Sequence, residues 1–173
     1  MHIKFILPAL TEAKSAYWRP IKYSLFPLLG LATLAAYCDR NDHIELQDEH
    51  VEELSTHDQP DIVVIQVYIT NAFRAYALAS HYRKKGCYVC LGGLHVSSVP
   101  EEAIPYADSL FIGPDEESFP RFLNDYKLGQ AQKMYWSKNR TLDGVPPIRR
   151  DLINRSLYLV PNSIVVTRGC PHH

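Results

Sequence analysis

The sequence predicts an α/β domain built on a doubly wound parallel sheet, and three observations carry that expectation. Strand-length apolar runs alternate with helix-period segments five times within residues 1–129. The run Asp61-Ile62-Val63-Val64-Ile65-Gln66-Val67-Tyr68 is nearly continuous in β-branched residues, as a strand covered on both faces requires. A further uncharged run, residues 87–91, stops at Gly92-Gly93. In a parallel sheet those glycines fall at the carboxyl ends of the strands, where ligands bind. On the glycines alone, a ligand site and a tight turn fit equally.

Taken in order, residues 2–7 form a short apolar strand stopped by Pro8. A long connection, residues 9–26, carries Tyr17, Trp18 and Tyr23, and connections of that length are usually functional or disordered. Pro27 suits the first position of a helix, in which Leu28, Leu31, Ala32 and Ala35 keep one side. Residues 43–46 alternate weakly as a second strand, expected at a sheet edge. Residues 48–59 are polar and hold at most a short helix. Residues 61–68 form the third and central strand, after which Thr70 or Asn71 caps a helix running to Lys85. Arg83-Lys84-Lys85 suits that helix's negative end and Gly86 the position beyond it. The fourth strand ends at Gly92; residues 101–104 make a short helix, and residues 109–112 a fifth strand closed by Gly113-Pro114. In the last helix Phe119, Phe122, Leu123 and Tyr126 share one face, with Asp115-Glu116-Glu117 at its positive end.

Right-handed crossovers leave few topologies, and five strands point to the flavodoxin-like order 2-1-3-4-5. Beyond Gly129 the alternation gives way to an irregular extension. Residues 133–136 and 157–160 read as extended, residues 144–148 as a proline-rich linker, and residues 163–167 as another strand.

Composition narrows the function. Net charge is −1 with no basic run, so a nucleic-acid footprint is absent. Residues 24–38 are uncharged for fifteen residues, short of the roughly 20 that a spanning helix needs. Four scattered cysteines suit a reducing, cytoplasmic compartment. Cys87 and Cys90 would face opposite sides of a strand, which argues against a redox or zinc pair. His43, His50 and His57 recur every seven residues in a polar stretch and read as solvated surface. The strand ends Pro8-Ala9 and Tyr68-Ile69-Thr70 lack the carboxylates of a phosphoacceptor. Residues 9–12 are no flavin phosphate cradle, and neither a dinucleotide nor a Walker motif occurs.

The series Pro27-Leu28-Leu29-Gly30-Leu31-Ala32, Asp61-Ile62-Val63-Val64-Ile65, Arg74-Ala75-Tyr76, Leu91-Gly92-Gly93-Leu94-His95, Pro100-Glu101-Glu102-Ala103 and Gly113-Pro114-Asp115-Glu116 resembles the N-terminal cobalamin-binding domain of the cobalamin-dependent radical SAM enzymes. Thr167-Arg168-Gly169-Cys170-Pro171-His172-His173 resembles the start of that family's C-x-x-x-C-x-x-C cluster motif. The resemblance implies a cobalamin-binding domain over residues 1–129, a linker or extension over 130–162, and the beginning of a truncated radical SAM barrel over 163–173. It implies Gly30, Tyr68, Ile69, Thr70, Gly92, Gly93, His95 and Gly113 as cofactor-binding residues, with Tyr17-Trp18 over the ring. Cys170 would be the first thiolate of a [4Fe–4S] cluster. That cluster and S-adenosylmethionine belong to the full-length enzyme, a methyltransferase or cyclase; the chain alone would be catalytically inactive. Its expected partners are cobalamin and the downstream barrel, with no nucleic acid and no membrane.

The chain also departs from the family's older members. Their D-x-H-x-x-G after the first strand is missing, and Val67-Tyr68-Ile69 stands where they carry S-x-L, whereas Gly92-Gly93 is kept. A rival reading is a degenerate domain that binds no cobalamin and serves as a scaffold or docking module.

Overall fold

A computed structural model of the chain describes residues 1–10 and 25–166. Its centre is one parallel sheet of six strands in the order β2-β1-β3-β4-β5-β6. The strands are β1 (His2–Leu7), β2 (His43–Asp48), β3 (Ile62–Gln66), β4 (Tyr88–Gly92), β5 (Ser109–Ile112) and β6 (Met134–Trp136). The expected order 2-1-3-4-5 is present, and the sheet is one strand wider than the sequence indicated. That addition is β6, parallel to β5 through Leu110–Met134, Phe111–Tyr135 and Ile112–Trp136.

The helices divide between the two faces, as the doubly wound topology demands. On one face α1 (Leu29–Leu34) and α5 (Asp115–Lys127) cover Phe5, Ile62, Val64 and Phe111. On the other, α2 (Ala72–Lys84), α3 (Leu94–Ser98) and α4 (Pro100–Ala103) cover Ile6, Val63, Ile65 and Leu110. Alternation along β3 explains both cores: Ile62 and Val64 enter one layer, Val63 and Ile65 the other. Cys87 and Cys90 divide the same way, one to each core. Burial pushes the Cys90 thiol well above its ordinary range, which fits a packing role rather than reactivity.

Three expectations need correction. Residues 163–166 form no strand, and Ile164 and Val166 are exposed, because no neighbouring strand among the described residues offers them a ladder. Residues 157–160 are irregular rather than a strand, following a 3₁₀ turn at Arg155–Leu157. Leu94–Ser98 is helical immediately after the glycine pair, a short helix the sequence reading left out.

The extension beyond Gly129 is fastened to the body at several points. The Tyr158 hydroxyl donates to Asp48 Oδ2 at 3.0 Å, Arg149 N donates to Ala32 O at 3.1 Å, and Val160 N donates to Leu25 O at 2.9 Å. No helix among the described residues is long and apolar enough to cross a membrane.

Candidate functional site

The carboxyl ends of β3, β4 and β5 meet the start of α5 and the flank of α1 around a cavity of ≈ 140 Å³. Glycines line it, for different reasons. Gly92 ends β4 in register with Gln66 of β3. A Cβ on Gly92 would stand 3.2 Å from Asp115 Oδ2 and 3.3 Å from Phe111 Cβ, so the wall is already at contact distance. Gly93 turns the chain from β4 into α3 with φ 110° and ψ −177°, a backbone region essentially reserved for glycine. A Cβ there would lie 2.8 Å from Val67 O. Gly113 makes the equivalent turn after β5 with φ +95°, closed against Ser137 O. Its N–H donates to Ser97 Oγ at 3.0 Å.

Gly30 is different in kind. It is exposed on α1, and an added Cβ would meet only Gln66 Nε2 at 3.9 Å. Neither packing nor backbone geometry demands glycine there, and its effect is to keep the helix side of the cavity open. The cavity walls are Leu31, Leu34, Val64 and Ile65 with the Gln66 amide, and Asp115 and Glu116 stand at the α5 end. That combination is a narrow slot of mixed apolar and polar lining, and at ≈ 140 Å³ it is smaller than the roughly 300 Å³ at which small-molecule sites usually begin.

The turn from β3 to α2 forms the rim. Asn71 sits at the N-cap of α2, and its side chain does not cap the helix. Its Oδ1 accepts from Tyr68 N at 2.8 Å and its Nδ2 donates to Pro8 O at 2.9 Å. The buried amide therefore ties the ends of β1 and β3 together. Gln66 Nε2 donates to the Tyr68 hydroxyl at 2.8 Å. Burial pushes the Tyr68 phenol above its ordinary range, with the Gln66 bond pulling the other way. Tyr68, Ile69, Phe73 and Leu94 leave an apolar, exposed rim around these strand ends.

Of the residues expected at a cofactor site, the structure brings Gly30, Gly92, Gly93 and Gly113 together around the cavity. Tyr68, Ile69 and Thr70 lie on the exposed rim turn rather than in the wall. His95 points elsewhere: its Nε2 lies 3.3 Å from Glu102 Oε1, and its ring is 6.5 Å from that of Tyr76 on α2. Tyr17, Trp18 and Cys170 lie outside the described residues. The sequence reading missed Gln66, took Asn71 as a candidate helix cap, and preferred a helix-start charge to an acid/base pair for Asp115-Glu116-Glu117. The polarity of Gln66 and Asn71 at the two ends of an apolar strand–turn unit was the available signal.

Two other places in the fold are separate from this slot. A wider, open depression of ≈ 810 Å³ lies at the amino end of the sheet beside Gly86, Cys87 and the Arg83–Asp108 ion pair. Open α/β sheets bind their ligands at the opposite end, so the smaller cavity is the candidate. At the end of β2, His50 is not solvated as expected. Its Nδ1 lies 2.8 Å from Asp48 Oδ1, and Leu10 N approaches its Nε2 at 3.4 Å.

No protein-family model matches the chain. It is 33% identical over 153 residues to bacteriochlorophyllide d C-8(2)-methyltransferase of Chlorobaculum tepidum, an alignment covering 83% of this chain and 34% of that protein. It is 27% identical over 154 residues to bacteriochlorophyllide d C-12(1)-methyltransferase of the same organism, covering 83% of this chain and 32% of that protein. The chain is thus related to these methyltransferases at modest identity and spans about a third of their length. Among solved structures, the N-terminal domain of a hypothetical protein of Thermotoga maritima aligns with TM-score 0.40 and 18% identity, over 51% of this chain and 80% of that one. That likeness is too distant to carry an argument.

Proposed function

We propose that this chain is the cobalamin-binding part of a radical SAM methyltransferase, and that the slot beside Gly30 and Gly92 receives the cofactor's nucleotide tail. One observation carries the reading: Gly30 holds the slot open although neither packing nor backbone geometry requires glycine at that position. A tail sliding between a helix and the strand ends needs a small residue on the helix wall, which Gly30 supplies; Gly92 and Gly93 line the strand side, where packing and backbone geometry already demand glycine. The exposed rim of Tyr68, Ile69 and Leu94 then offers apolar surface to a flat ring system. Cobalamin, when bound, supplies the methyl-carrying chemistry; the chain's residues bind it, orient it and exclude water.

The relatives' names favour methyl transfer over ring formation, with a chlorophyll-type macrocycle as the substrate class. In this reading residues 1–129 form the cofactor domain, 130–162 an extension and 163–173 the entry to the barrel. Cys170 begins the thiolate set of the [4Fe–4S] cluster that binds S-adenosylmethionine. Among the described residues no histidine lines the slot.

The test is a calorimetric and spectroscopic titration of the purified chain with hydroxocobalamin and methylcobalamin. The proposal expects one-to-one binding with a base-off spectrum that His95→Ala leaves unchanged. No binding at millimolar cofactor would instead make the chain a scaffold or docking module.

A further inference from the structure

At the opposite end of the sheet from the slot, the register of β1 and β2 sets His2 directly beside His43 and Lys4 beside Glu45. Side chains two residues apart share one face of a strand, so His43 and Glu45 project together toward His2. The result is convergent. His2 Nε2 lies 3.0 Å and His43 Nε2 3.3 Å from the same oxygen, Glu45 Oε1. The two imidazoles meet edge to face with centroids 4.6 Å apart. One donor atom from each of the three residues falls within 4.8 Å of the others.

Ligands about 2.0–2.1 Å from a tetrahedral zinc ion stand about 3.3 Å from one another. The two imidazole–carboxylate contacts already have about that spacing and the two imidazole nitrogens lie within 4.8 Å, so an ion could be seated by a small approach of the imidazoles. β2 is the edge strand of the sheet and His43 is exposed, which gives an ion access. The nearest opposing charge is the Lys4 ammonium, 3.6 Å from Glu45 Oε2. It is already matched by Asp58 at 2.6 Å and by Ser55 O at 2.7 Å, which leaves Glu45 Oε1 to the imidazoles. Asp61 accepts from His2 N at 2.6 Å, and the Met1 ammonium is held by Asp42 at 2.8 Å. Neither takes a donor atom from the cluster.

We propose that His2, His43 and Glu45 form a binding site for a divalent transition-metal ion of the zinc type, with the remaining position taken by water. Two imidazoles among three donors favour such ions over calcium or magnesium, which require oxygen ligands. The site lies at the amino ends of the strands and does not depend on the cofactor reading of the other end.

The experiment uses the chain purified without a polyhistidine tag and stripped of metal with a chelator. Zn²⁺ is titrated by calorimetry, and Co²⁺ by the visible absorption of its four-coordinate form. The expected result is one-to-one binding that His43→Ala and Glu45→Gln each weaken more than about tenfold, while His57→Ala leaves it unchanged. His43 is exposed, so its replacement should not disturb folding; circular dichroism checks this. The proposal is overturned if one-to-one binding is absent, if His43→Ala leaves the affinity within a factor of about ten, or if His57→Ala abolishes it.

Discussion

Gly30 of α1 faces Gln66 of β3 across the mouth of the slot, and a Cβ on Gly30 would stop 3.9 Å from the Gln66 amide nitrogen. This gap separates two roles that glycines play in the site, because Gly93 and Gly113 serve the backbone whereas Gly30 serves only the opening. The difference can be measured.

Gly30→Leu should fill the mouth of the slot and leave the fold intact. Leucine is the better helix former, so stability should be unchanged or higher by up to about 1 kcal/mol. Affinity for hydroxocobalamin should drop at least tenfold, about 1.4 kcal/mol. Urea denaturation and calorimetry on the same preparation check both halves.

Gly93→Ala should behave in the opposite way. Its φ of 110° and the 2.8 Å approach to Val67 O make any side chain both strained and crowded, which costs about 1–3 kcal/mol. Gly92→Val should lose a similar amount by overpacking against Asp115 and Phe111. Both losses should appear in urea midpoints without any cofactor present.

Asn71→Ala should cost about 1–3 kcal/mol, because it leaves Tyr68 N and Pro8 O without the buried amide that joins them. Asn71→Asp should cost at least as much at neutral pH, since it keeps the bond from Tyr68 N but sets a buried carboxylate oxygen against Pro8 O. Chemical denaturation of the three proteins should place the wild type first and the Asp variant no higher than the Ala variant.

Lys4 is fully buried in the sheet and bound to Asp58 at 2.6 Å. Partial burial pushes the Asp58 carboxyl upward, but the Lys4 and Tyr82 bonds outweigh it and the net shift is downward. A carboxyl lowered in the folded state stabilises the protein above its unfolded value, near pH 4, and this is lost as pH falls through the folded value. Asp58→Asn should therefore destabilise by about 1–3 kcal/mol at neutral pH, and the difference from wild type should shrink in acid. Lys4→Met should be far milder than Asp58→Asn, because it removes the buried charge instead of stranding it. Thermal unfolding across a pH series checks the sign.

Much of this architecture is legible in the residues themselves. Val63 and Val64 enter opposite cores because a two-residue period puts them there, and the order of the first five strands follows from crossover handedness. Residues 133–136 read as extended, and the structure makes them a strand, but their place as the sixth in the sheet was not legible. Met134–Trp136 is three residues long, and only the edge of β5, formed by residues distant in sequence, makes it a strand. The same applies to Asn71 and His50. Each owes its role to a partner on another element, Pro8 O for one and Leu10 N for the other. Residues 163–166 show the converse, since their strand-like composition finds no ladder among the described residues. At the site, only Gly92 and Gly93 were read from the residues themselves, whereas Gly30, Gly113 and His95 rested on the family resemblance. The turn of α3 carries the His95 ring toward Glu102 and Tyr76.

The most direct test of the slot as a nucleotide-tail site compares cobalamin with cobinamide, which keeps the corrin ring and lacks the nucleotide tail. Both are titrated calorimetrically into the wild-type chain and into Gly30→Leu. The account predicts that the wild-type chain binds cobalamin at least about tenfold more tightly than cobinamide, and that Gly30→Leu removes the difference by weakening cobalamin alone. Equal affinity of the wild-type chain for the two ligands, or a preference that survives Gly30→Leu, would contradict it.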